Sequence, residues 1–234
     1  MVGVDDDGQE TRAGFFGKVT SHGDFVARRL APAFREPWDA WLQAGLQLSK
    51  EALGPGWLTT YLNSPIWRFA LAPGVCGEPG WAGLLMPSVD RVGRHFPLTL
   101  ACALGDSTRL LDCLTSHDAW FGRLEALALS SLAEDFSLDA FDAALGAVPP
   151  PGGAPAAASG PVIALDATDS LADASSSGLM RAIAGAALAG QCLWWTDGSP
   201  RVAPCLLISR SLPPPAAFAA LLDGDWRGHG WPGA

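Results

Sequence analysis

Trp81-Ala-Gly-Leu-Leu-Met86 and Leu98-Thr-Leu-Ala-Cys-Ala-Leu104 frame the connection Pro87-Ser-Val-Asp-Arg-Val-Gly-Arg-His-Phe-Pro97. Both flanking runs have the length and residue types of buried strands. A plain hairpin needs only about two to five turn residues. This connection carries Asp90, Arg91, Arg94 and His95 as well, more chemistry than closing a turn requires. Pro87 and Pro97 fix φ and remove ladder donors, so each strand stops at a defined place. Gly93 permits a backbone conformation that other residues resist.

Working outward, Ile66–Leu71 reads as a third strand, with Trp67, Phe69 and Leu71 on one side and Ile66, Arg68 and Ala70 on the other. Arg68 is surrounded by apolar residues and, if buried, needs a carboxylate or several carbonyls. Three neighbouring strands without intervening helices predict antiparallel pairing here. Gly14–Val19 is a further short strand that ends in the polar turn Thr20–Asp24. Pro37 suits a first helical position, and Trp38, Trp41, Leu42, Leu46, Ser49 and Leu53 trace the helix's apolar stripe up to Gly54-Pro55. Trp57, Tyr61 and Leu62 continue at helical spacing.

A long helix is expected from an N-cap at Thr115, with Trp120, Phe121, Leu124, Leu127, Ala128 and Leu132 as its stripe. A shorter helix follows at Leu138–Leu145. Residues 148–161 are rich in Pro, Gly and Ala and read as a linker or exposed loop. Beyond them come a strand at Val162–Leu165, a helix at Gly178–Ala189, and a hairpin pairing Cys192–Thr196 with Val202–Ser209 across Asp197-Gly198-Ser199-Pro200. A last helix surrounds Pro215–Leu222. Strands apolar on both faces, interleaved with amphipathic helices, predict an α/β fold: a three-layer α/β/α sandwich with a mixed, partly antiparallel sheet. The expected organisation is a disordered lead over residues 1–12, an α/β domain over 13–147, the 148–161 segment, and a C-terminal part over 162–234. That last part either extends the same domain or forms a small lobe.

Of the 234 residues 49% are apolar and 17% charged, which excludes disorder for most of the length. A net charge of −9 argues against nucleic acid as a partner, because phosphate binding needs a concentrated basic face. Only Lys18 and Lys50 are lysines among the fifteen basic residues. Ten tryptophans stand against one tyrosine, and most of these indoles are expected in the core. Five cysteines without a Cys-x-x-Cys pair read as reduced thiols in a cytoplasmic protein. The acidic N-terminus lacks the basic and apolar regions of a signal peptide, and no apolar run is long enough to span a bilayer.

Gly14-x-x-Gly17-Lys18 invites comparison with a phosphate-binding loop and fails it, because Arg12 and Val19 occupy places where that loop needs Gly and Ser or Thr. No cofactor or metal is expected. His22, Asp24, Asp90 and His95 are the residue types of a hydrolytic site, with Ser21 and Ser88 as nucleophile types, but they lack a defining spacing. The more economical use of Asp24, Arg28, Arg29, Asp90, Arg91 and Arg94 is mutual pairing that locks two loops together. Because Asp90 adjoins Arg91, Arg91 is the expected structural partner and Arg94 the expected exposed one. Surplus arginines would leave a positive patch on an acidic protein.

Three stretches also carry a family resemblance: Gly14-Phe-Phe-Gly-Lys-Val-Thr-Ser-His-Gly-Asp-Phe-Val26, Ser64-Pro-Ile-Trp-Arg-Phe-Ala-Leu71 with Pro73-Gly74, and Ser88-Val-Asp-Arg-Val-Gly-Arg-His-Phe-Pro-Leu98. In this order they resemble signatures of the TagF (ImpM) family of bacterial type VI secretion accessory proteins. The resemblance extends from Gly14 to about Leu104 and is poor in the C-terminal third. It implies a cytoplasmic post-translational repressor that is not an enzyme and that acts by protein–protein interaction with a forkhead-associated (Fha) scaffold protein. Some relatives carry a fused phosphatase domain, and no such segment is recognisable here. The loops implied in interaction or structure carry Lys18, His22, Asp24, Arg28, Arg29, Asp90, Arg91, Arg94 and His95. The alternative is an uncharacterised hydrolase using His22, Asp24, Asp90 and His95.

Overall fold

In the computed structural model, residues 12–105, 110–152 and 183–231 are described. The lead over residues 1–11, most of the 148–161 segment, the strand expected at Val162–Leu165 and the first part of the helix expected at Gly178–Ala189 lie outside them.

Among the described residues seven strands form one sheet: β1 (Gly14–Gly17), β2 (Val26–Arg28), β3 (Trp67–Leu71), β4 (Trp81–Met86), β5 (Leu98–Ala103), β6 (Cys192–Thr196) and β7 (Cys205–Ser209). Their order is β2-β1-β5-β4-β3-β6-β7, and every neighbouring pair is antiparallel. The expected mixed sheet is therefore corrected. The antiparallel pairing expected for β3, β4 and β5 is present, and the strands apolar on both faces belong to an antiparallel sheet.

The alternation along each strand feeds two apolar clusters. Phe16, Trp67, Phe69, Leu71, Trp81, Leu85 and Trp194 belong to one, together with helices α1 (Pro32–Leu53) and α2 (Trp57–Leu62) and the C-terminal helix Phe218–Asp223. Phe15, Ala70, Leu84, Leu98, Leu100 and Leu193 belong to the other, together with α4 (Asp118–Ser130) and α5 (Leu138–Gly146). The odd-numbered residues of β3 thus face one cluster and Ala70 the other, as period two requires. β6 and β7 continue the sheet beyond β3.

Two helix starts differ from expectation. α1 begins at Pro32, and Pro37 lies inside it. Either proline satisfies the fixed φ of a first turn, but Pro32 also costs no helical hydrogen bond there. The helix expected from an N-cap at Thr115 is α4, which starts at Asp118 after His117, and Thr115 instead ends a separate short helix, α3 (Leu110–Thr115). The Thr115 hydroxyl donates back to the Leu111 carbonyl at 3.0 Å, closing α3 instead of capping α4.

Tryptophan stacking organises the first cluster. Trp38 lies 4.6 Å from Phe69 and stacks parallel to Trp194 at 5.9 Å. Its indole N–H donates to the Thr99 hydroxyl on β5 at 2.9 Å. Trp41, Trp57 and Trp67 likewise donate to Pro213 O, Ser49 Oγ and Leu221 O. Thr99→Val keeps the side-chain shape but removes Trp38's buried acceptor. The expected loss is about 1–3 kcal/mol, read as a lower urea midpoint with an unchanged m-value.

Candidate interaction site at the meeting of two charged loops

β1 runs antiparallel to β5, with Phe16 opposite Thr99. The chain leaving β1 and the chain entering β5 therefore emerge at the same end of the sheet. Gly17, at φ 143°, lies against the backbone of Pro97 and Leu98 so closely that a Cβ would collide with the Pro97 carbonyl. The residues after Gly17 and the 87–97 connection are thus packed on one another by sheet topology.

Asp90 organises the connection. Its Oδ1 accepts the amides of Val92 at 3.0 Å and Arg94 at 2.8 Å. The Asp90 and Arg94 main chains also bond, at 3.0 Å, and the Gly93 amide donates to Asp90 O at 2.9 Å. Gly93 turns the chain at φ 83°, a conformation other residues resist. Asp90 Oδ2 takes the Lys18 ammonium at 2.8 Å and the Arg94 Nε at 2.7 Å. Asp90 is only 3% exposed, so these partners replace the water it has lost.

Further contacts join the loops. The Arg91 amide donates to His22 O at 2.9 Å, and Arg94 Nη2 donates to Gly23 O. The Ser88 hydroxyl donates to Lys18 O at 2.8 Å. Tyr61 OH donates to Ser88 O and accepts the Ser88 amide, at 2.8 and 3.0 Å.

The other expected residues have separate places. His22 Nδ1 lies 2.8 Å from Ser21 Oγ. Asp24 accepts its neighbour Phe25's amide at 2.8 Å. Arg28 donates to Ala27 O at the sheet edge. Arg29, at φ 57°, donates to Ala13 O and pairs with Asp142 of α5. His95 packs edge-on to Trp57 at 5.4 Å and Tyr61 at 5.7 Å. The mutual pairing of two aspartates with four arginines therefore reduces to Asp90–Arg94, with Lys18 as the other cation.

The expectation that Arg91 is the partner of Asp90 is corrected: Arg94 makes that pair while its side chain stays exposed. The turn built on Asp90 Oδ1 folds residue 94 back over the carboxylate. Arg91's side chain has no ion pair among the described residues. Tyr61 reads in the sequence only as part of a helical stripe, Ser88 only as a nucleophile type and Phe25 only as part of a resemblance stretch; Tyr61 being the chain's sole tyrosine and Phe25 an aromatic ending a polar turn are the signals that point to this site.

His22, Asp24, Asp90 and His95 do not converge. Asp90 is occupied by two cations, and His95 is packed edge-on against the stacked rings of Trp57 and Tyr61. A cavity of about 550 Å³ opens elsewhere, bounded by Trp41, Pro73, Arg210 and Pro213, and none of the four lines it. Lys18's amine is committed to Asp90. Among the described residues no three His, Cys, Asp or Glu side chains are placed to hold a metal. Burial pushes the Cys76, Cys102 and Cys113 thiols up to about 12, so none is a nucleophile at neutral pH.

A family model described as the TagF N-terminal domain, type VI secretion system-associated, matches residues 14–148. The chain belongs to the TagF family. It is also similar to a crystal structure of PA0076 from Pseudomonas aeruginosa PAO1, at 40% identity and a TM-score of 0.81. That match covers 91% of this chain and 94% of the other. No curated protein matches it. Among the described residues no helix is long and apolar enough to cross a membrane. The two loops of this TagF chain lie inside the family match, as does Arg68. That arginine sits on β3, with β5 and β4 between it and β1. It pairs with Asp118, Glu125 and Asp197 at 3.2, 2.9 and 3.0 Å.

Two titrations shape the acid response of this TagF site. Burial opposes ionisation of Asp90, but Lys18, Arg94 and the Val92 amide together hold its carboxyl well below the usual carboxylate range. Burial, then Lys50 and Lys18, lowers the His95 pKa, and Asp90 only partly opposes them. In both cases the unfolded chain binds more protons, so stability falls as pH falls. The His95 contribution declines below about pH 6.5 and the Asp90 contribution below about pH 4. Asp90→Asn should therefore differ from wild type most above about pH 5, with the gap in melting temperature closing towards pH 2. A pH-independent gap would show that Asp90 is not ionised in the folded protein.

Proposed function

We propose that this protein is a cytoplasmic post-translational repressor of a bacterial type VI secretion system, acting by protein–protein interaction with the forkhead-associated scaffold protein. Family membership supports the secretion-system setting. The observation that carries the binding reading is the charged-loop site itself. Its ionisable groups are spent on fixing two loops against each other, and the remainder is presented as surface instead of lining a pocket. That favours contact over catalysis, and the protein is read as acting without an active site of its own. Five free cysteines, four of them buried, fit a reducing compartment. Apolar clusters on alternate residues of the same strands support a three-layer α/β/α arrangement, and the continuation of the sheet through β6 and β7 supports residues 162–234 as part of the same domain.

In cells carrying the secretion cluster, deleting the gene should raise export of secreted substrates without raising the abundance of the apparatus components. Tagged protein should recover the scaffold. Unchanged export in the deletion strain would remove the repressor role, and a scaffold absent from the recovered material would remove the partner.

A further inference from the structure

We infer that the surface shared by residues 22–25 and 91–94 is a docking face for an acidic protein surface, with Phe25 as its apolar anchor; this rests on the proposal that the protein works by binding a partner. Phe25 is 45% exposed, yet it is held from behind. Its ring stacks on Phe16 at 5.6 Å, meets Phe96 edge-on at 4.8 Å, and lies 5.1 Å from the Lys18 ammonium. Val92, 66% exposed, projects from the turn whose backbone Asp90 pins. The Arg94 side chain is 58% exposed, and its bonds to Asp90 and Gly23 O fix its direction. Arg91's guanidinium lies beside Gly23, 3.6 Å from where a Cβ would sit.

An exposed aromatic ring and two arginines are residue types enriched at interfaces, and Val92 adds apolar area beside them. Because the turn backbone and the Phe25 and Arg94 side chains are already fixed, docking them loses little conformational freedom. The chain carries −9 overall, so these arginines are a local exception that steers an acidic surface to one place. The complementary surface has carboxylates around an apolar recess that takes the phenyl ring. Asp24, exposed within the same stretch, disfavours an anionic group directly over its own carboxylate. A two-fold contact with a second copy would set the same arginines against each other, which makes self-association through this face unfavourable.

The test titrates the purified full chain against purified forkhead-associated scaffold protein at two salt concentrations, with Phe25→Ala, Arg91→Glu and Val92→Glu beside wild type. Melting temperatures are recorded for all four. Phe25→Ala also trims packing on Phe16 and Phe96. The other two substitutions fall on exposed side chains and should fold as wild type does. Each should weaken binding by about tenfold or more, and Arg91→Glu should flatten the salt dependence. Wild-type affinity in both folded charge variants overturns the face and leaves the proposed partner standing. If wild type itself does not bind the scaffold, the partner assignment fails and the face is judged separately. A photocrosslinking residue replacing Val92 is then used in cells carrying the secretion cluster. An adduct with a different, acidic-surfaced protein, abolished by Arg91→Glu, supports the face. No adduct, an adduct indifferent to Arg91→Glu, or one only with a second copy of this chain overturns it.

Discussion

A carboxylate taken out of water has to be surrounded by donors, and Asp90 meets that demand with four: two backbone amides, the Lys18 ammonium and the Arg94 Nε. Three of these donors come from Asp90's own connection and the fourth, Lys18, from the chain leaving β1. The amides set the turn at 92–94. Lys18 follows directly on Gly17, at the end of β1. Arg94 reaches on to the Gly23 carbonyl. One anion therefore fixes the shape of the 87–97 connection and its position on the neighbouring loop. A buried pair of this kind is weak evidence for stability, since desolvation offsets much of the attraction. Its consequence here is geometric: slipping either loop would strand a charge.

What the sequence disclosed follows from how local each cause is. Apolar runs and period-two alternation marked β3, β4 and β5, because strand burial is written in consecutive residues. Arg68, between Trp67 and Phe69, announced its own need for carboxylates. Which carboxylates could not be known, because Asp118, Glu125 and Asp197 arrive from α4 and from the turn after β6. The start of α1 was ambiguous because Pro32 and Pro37 both suit a first turn. The antiparallel pairing of β3, β4 and β5 is legible because no helix separates them, whereas the mixed character expected of the sheet fails because burial on both faces does not say how the chain crosses between strands.

Lys18 shows the same limit at the site. Beside Gly17 it resembled part of a phosphate loop, and nothing near it in sequence identified an anion. Its partner is named by strand order: β1 beside β5 brings the end of one to the beginning of the other. Arg91 was favoured over Arg94 by adjacency to Asp90. Adjacent side chains diverge, however, while a side-chain-capped turn brings the residue four positions on back over the carboxylate. The excess of tryptophan, by contrast, has a structural use. Several indoles supply both stacked area and one directed N–H, and those donors fasten α1, α2 and β3 to specific acceptors.

Arg68 and Asp90 solve the same problem with opposite residues, and the difference shapes the surface. Around Arg68 three carboxylates meet one cation, and two of them, Asp118 and Asp197, are 88% and 81% exposed. That end of the sheet is left with surplus negative charge. Around Asp90 two cations meet one carboxylate that is itself withdrawn from solvent, and Arg91 adds to the positive side. A chain of net −9 thereby presents a cationic face at the exit of β1 and an anionic one beside β3, with β5 and β4 between them. Such a separation orients an approaching charged surface before contact is made. Burying one carboxylate under two cations fixes the loops, and the same excess of cations over carboxylate makes that face electrostatically distinct from the rest of an acidic molecule.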